Sequence, residues 1–165
     1  MRIPVPVVVA ASLVGAVGAA GLIRGAQPLP TSAAAPNTNP IVVSNAYVRA
    51  PAPPTDAAAA YFTVYNTTGT PDRLQTVLSG AGAETVLHVQ TRKGMVVSDS
   101  AVIPSHGSLV FKAGAGHVMI QQLYGTLKAG QSVALELQFQ NAGIVNVTAP
   151  VIPLGAPAPT SGGSS

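Results

Sequence analysis

The sequence predicts an all-β fold: an antiparallel β-sandwich or Greek-key barrel of about nine short strands, preceded by an N-terminal apolar helix. Three observations predict it. Between Ile41 and Pro153 the apolar residues come in short runs, several of them alternating with polar residues at strand period. Turn-forming residues separate most of these runs. No segment in that range sustains a helical period.

The elements follow in order. Ile41–Ala50, "IVVSNAYVRA", is rich in β-branched residues and alternates near its end. "AAYFTVYN", Ala59–Asn66, comes next. Its alanines could suggest helix, but Tyr61, Phe62, Thr63, Val64 and Tyr65 favour a strand. The turn "TTGTPDR" leads to "LQTVLSG", Leu74–Gly80. "ETVLHVQ" and "GMVVSD" flank "TRK" and read as a hairpin. "SLVFKAG" passes through Gly114 and Gly116 into "HVMIQQLY". "GTLKAGQ" is a turn-rich connection. "SVALELQFQ" alternates over its length, and "GIVNVTAPV" does so after "NAG".

The flanks are of a different kind. Met1 and Arg2 precede an apolar run to Ile23, long enough to span a bilayer. Residues 1–23 suit either a cleaved signal peptide or a retained N-terminal membrane anchor. Pro4, Pro6 and three glycines suit a buried globular helix poorly. Residues 24–40 read as a disordered linker, because prolines and small polar residues cannot build a core. Residues 41–153 form the folded unit, and 154–165 a disordered tail of similar composition. The protein is therefore expected to be exported: secreted, or anchored at the outer face of the cytoplasmic membrane.

Charge and cysteine exclude several classes. From Ile41 onward six basic residues oppose five acidic ones, so no footprint for nucleic acid exists. The chain has no cysteine, hence no disulfide, thiolate nucleophile or lipid-bearing thiol. Ser105 and His106 are adjacent, but adjacency makes no triad, and no G-x-S-x-G elbow occurs. The chain reads as a non-enzyme.

One window carries the chemistry. The three histidines are His88, His106 and His117, and beyond Met1 the only methionines are Met95 and Met119. All five fall between His88 and Met119. His117 and Met119 are two apart on a strand and project to the same face. His88 and Met95 sit on the two arms of the hairpin, where they are expected to face each other. Together they make a candidate His₂Met₂ site. Thioether suits Cu(I), and imidazole accepts Cu(I) or Cu(II). Hard cations find no anionic ligand here, zinc seldom takes Met, and a blue-copper centre needs a cysteine. The set points to copper carriage rather than electron transfer. A lone Met on a strand is ordinarily core filling, and a lone His in a loop is ordinarily solvated. His106, in the turn "IPSHGS", takes that plain reading, as do Glu84 and Asp99 as surface charges. The competing functional reading is an exported β-sandwich interaction or adhesion module without metal.

The domain resembles the PCu(A)C family of periplasmic copper chaperones. Met95 is followed by twenty-one residues and then "HVM", which is the family's spacing before His-x-Met. "NAYVRAPAPPTDAAAAYFTVYNTTGTPDRL", "IPSHGSLVFKAGAGHVMI" and "LKAGQSVALELQFQNAGIVNVTAPV" are similar to the family's flanks, so the resemblance covers nearly all of Ile41–Val151. It departs in one place: six residues separate His88 from Met95, where the family usually has ten. Losing two residues from each arm keeps strand parity. The resemblance implies a cupredoxin-like sandwich. It also implies metal ligands at His88, Met95, His117 and Met119, and delivery of copper to an acceptor such as a cytochrome oxidase subunit or its assembly factor.

Overall fold

The computed structural model describes residues 39–52 and 54–160. The expected helix at 1–23, most of the linker and residues 161–165 of the tail lie outside the described residues. Among the described residues no helix is long and apolar enough to cross a membrane.

Ten strands form: β1 Ile41–Arg49, β2 Ala58–Asn66, β3 Asp72–Ser79, β4 Gly82–Thr91, β5 Gly94–Val97, β6 Ala101–Ile103, β7 Ser108–Phe111, β8 His117–Leu123, β9 Ser132–Phe139 and β10 Gly143–Ile152. The all-β expectation holds, with one strand more than the nine runs predict. The addition, β6, has three residues between Ser100 and Pro104, too few for an alternation to declare itself.

One layer runs β5-β4-β8-β2-β1 and the other β10-β9-β3-β6. A short parallel pairing of Val48 with Val151 and Arg49 with Ile152 joins them. The alternation of β9 shows how the layers close: Val133, Leu135, Leu137 and Phe139 are buried while their neighbours face outward. They meet Phe62, Val64, Val118 and Ile120 of the opposite layer, with Leu74, Val77 and Ile103, in one core. Each fully buried aliphatic side chain contributes about 1.5–3 kcal/mol.

Three local devices set the outer face of the first layer. One edge of β2 is shared end to end: Ala58–Ala60 pair with β8, Phe62–Tyr65 with β7, and the turn Lys112–Gly116 lies between. Gly116 closes that junction. A Cβ there would stand 2.8 Å from Phe111 Cδ1 and 3.0 Å from the His88 carbonyl oxygen, so only glycine allows this approach. In β1 the register shifts between Ser44 and Tyr47, with Asn45 at φ 51°, a conformation Asn tolerates. The extra residue brings Tyr47 opposite Tyr61.

At the other end of the fold the Asp72 carboxylate accepts the backbone N–H groups of Arg73, Asn141 and Ala142, tying β3 to the β9–β10 turn. The first residues of the expected tail are held too, since the Arg49 guanidinium donates to the carbonyls of Leu154 and Ala156.

Candidate metal centre

β4 and β8 pair antiparallel with His88 directly opposite His117 and Val86 opposite Met119. Their neighbours Leu87, Val118 and Ile120 are buried in the core, so His88, His117 and Met119 project together from the outer face. The imidazoles stack, with centroids 4.8 Å apart and planes 29° from parallel. All three side chains are half-buried.

The row continues beyond the histidines. Tyr61 on β2 lies 6.2 Å from His117, and Tyr47 stacks on Tyr61 at 5.0 Å. Four rings from four strands thus form one line, solvent-accessible at the histidine end and buried at the tyrosine end, where Tyr47 is 4% exposed. No local signature in the sequence marks this wall. The alternation of "AAYFTVYN" assigns Tyr61 a face but cannot name β8 as its partner strand.

The electrostatics favour a neutral His88. Burial, and secondarily the neighbouring His117, hold His88 below its usual pKa of 6.5. His117 Nδ1 lies 3.3 Å from the Ala115 carbonyl oxygen. In the tautomer that donates this bond, Nε2 keeps a free lone pair for a ligand. Burial raises the Tyr61 phenol above its usual value of 10.0, against a lowering by Arg49 and with a further rise from Tyr47. Tyr61 therefore stays neutral beside the histidines.

Met95 requires a correction of register. A turn centred on Arg92 and Lys93 pairs Gln90 with Met95, and His88 with Val97. Met95 does not face His88 directly. Strand parity is kept, so Met95 shares the outer face with His88 at the diagonal position, 38% exposed on the edge strand β5. With a rise of about 3.3 Å per residue and about 4.8 Å between strands, its Cα lies roughly 10 Å from the midpoint of the two histidine Cα atoms, against roughly 7 Å for Met119. The fold thus gathers His88, His117 and Met119 closely and leaves Met95 at the rim.

The other candidates lie apart. His106 is exposed in the β6–β7 turn at a φ of 50°, its N–H donating to Thr68. Glu84 accepts from Gln122 at 3.3 Å. Asn66, in an N-x-T sequon, is buried and bonded to Thr68 and Thr70. Among the described residues no cluster of three or more His, Cys, Asp or Glu could hold a metal ion. The sulfur donors that share this face with the two imidazoles are Met119 and, at the rim, Met95.

Comparison with known proteins bears on the whole domain. A copper-bound PCuAC domain from PmoF2 is 24% identical with a TM-score of 0.62, covering 69% of this chain and 93% of that one. The apo PmoF2 PCuAC domain is 25% identical with a TM-score of 0.65, covering 71% and 93%. The Cu(I) form of DR1885 from Deinococcus radiodurans is 29% identical with a TM-score of 0.59, covering 67% and 76%. The chain shares the fold of these PCuAC domains. Curated proteins give no match. A family profile described as putative lipoprotein LpqE-like matches residues 41–151, and the chain belongs to that LpqE-like family.

Proposed function

We propose that this chain is an extracytoplasmic copper chaperone that binds Cu(I) at His88, His117 and Met119, with Met95 as a fourth donor from the hairpin. The observation that carries the reading is the His88–His117 pair, stacked at 4.8 Å on an exposed sheet face with Met119 beside it. Two imidazoles and two thioethers match a soft monovalent ion and offer no charge to Mg²⁺ or Ca²⁺. The printed description of the DR1885 relative, a Cu(I) form at 29% identity, supports the same cargo.

Neutral donors hold copper without anionic charge, which favours release to an acceptor bearing thiolates, such as the copper centre of a cytochrome c oxidase. Transfer is ligand exchange. A chaperone–copper bond breaks as a copper–thiolate bond forms, the acceptor thiol releases a proton, and copper stays Cu(I) throughout. The family's description as a putative lipoprotein supports an exported or membrane-anchored protein. Attachment would rest on the apolar 1–23 segment, which is long enough to span a bilayer.

The test is an anaerobic Cu(I) titration of the full chain against a competing chelator. One ion retained per chain, and lost in a His117→Ala, Met119→Ala double variant, supports the reading. No retention by the wild-type chain overturns it.

A further inference from the structure

β5 is the open edge of the layer that carries the histidines. Of the usual protections of an edge it has shortness, at four residues, but neither charge nor proline. Its residues Gly94–Val97 include no charge and no proline, and Met95, Val96 and Val97 are 38%, 41% and 66% exposed. The opposite edge, β6, is three residues long, runs into Pro104, and has Arg73 bonded to Ser100 beside it. Uncharged, apolar edges invite a further strand.

The hydrogen-bond phase of β5 is fixed. Ser98 N–H donates to the Leu87 carbonyl at 3.0 Å, so Ser98 and Leu87 form a bonded pair. Counting back along the register, Val96–Val89 and Gly94–Thr91 are the bonded pairs, and Met95 and Val97 occupy the non-bonded positions. The backbone N–H and C=O of Met95 and Val97 therefore point away from β4, toward the free edge. Their side chains stand on the same face as His88, and Val97 lies in its row.

We propose that β5 is the docking edge for the acceptor, which adds an extended strand there and sets a thiolate-bearing residue beside Met95. The inference rests on the copper reading. A residue opposite Met95 on an added strand would project onto the metal-binding face about one strand spacing, 4.8 Å, from Met95. Met95, set apart from the close group, then becomes the donor through which copper leaves. Charge selects the partner. The hairpin tip carries exposed Arg92 and Lys93, and Thr91–Val97 contains no acid, so the added segment is acidic at the end that meets the tip.

The probe is a labelled synthetic peptide about nine residues long, of alternating Thr and Val with a central Cys and terminal Glu residues. Its binding to the metal-free full chain is read by fluorescence anisotropy, so loss of docking is distinguishable from loss of copper binding. Val97→Pro removes an outward N–H without breaking the β4 ladder. Its expected effect is at least about a tenfold loss of peptide affinity, with Cu(I) retention unchanged. A second variant, Arg92→Glu with Lys93→Glu, leaves the backbone edge intact and is expected to weaken the acidic peptide while sparing one with terminal Lys. Equal peptide binding by wild type and both variants overturns the proposal. So does self-association of the chain through β5, seen as a dimer by analytical ultracentrifugation that Val97→Pro abolishes and the peptide does not displace.

Discussion

His88 and His117 stand opposite each other on β4 and β8, their rings stacked at 4.8 Å, although three strands separate β4 from β8 along the chain. That pairing puts two imidazoles side by side and sets the two thioethers at unequal distances from them.

Met119 and Met95 are not equivalent. Met119 shares a strand with His117, while Met95 sits diagonally on the exposed edge strand and must be drawn inward to reach the same ion. Met119→Ala is expected to weaken Cu(I) by at least about tenfold, or 1.4 kcal/mol, and Met95→Ala by less. Competition titration of the two variants checks the order, and equal losses would place Met95 as close as Met119.

Gly116→Ala presses a methyl group into Phe111, whose ring packs edge-on against Phe62 at 5.0 Å, and into the His88 carbonyl. Overpacking of this kind costs about 1–3 kcal/mol. Thermal unfolding should show the loss, and Cu(I) affinity should fall with it because the added atoms push β4 and β8 apart at the histidines.

The pH response has a definite sign. His88 has a folded pKa below 6.5, chiefly from burial and then from His117, so the unfolded chain takes up this proton first as pH falls. The contribution to stability is complete above the unfolded value of about 6.5 and is lost as pH falls through the lower folded value. Urea midpoints of the metal-free chain across that window should decline, and His88→Ala should flatten the decline. Copper binding should weaken in the same direction, since protons compete for the same nitrogens.

Asp72 offers a control remote from the metal face. Its carboxylate accepts three backbone N–H groups at 2.7–3.0 Å and is buried. Asp72→Ala should destabilise the fold by about 1.5–3 kcal/mol, the range for hydrogen bonds to a charged group. Cu(I) affinity measured below the new unfolding temperature should be unchanged.

How much the sequence disclosed follows from what periodicity can carry. Alternation marks faces, so the burial of β9 and the shared side of His117 and Met119 could be read directly. Alternation does not name partners. The His88–His117 contact depends on β4 pairing with β8, and the tyrosine wall on the β1 bulge, neither of which has a local signature. The His88–Met95 facing failed for a countable reason: the turn is centred on Arg92–Lys93, and that centre sends His88 to Val97. Sequence marks "GAG" only as glycine-rich, whereas Gly116 is a point of close contact.

The β4–β8 ladder also sets an order of events. An unfolded chain carries only the local His-x-Met pair, a weak two-donor fragment. The full donor set comes into being only when two sequence-distant strands close a long intervening loop, a step that is slow by its topology. On the copper reading, loading would report that the domain has finished folding, and the bound ion would stabilise that finished state by mass action.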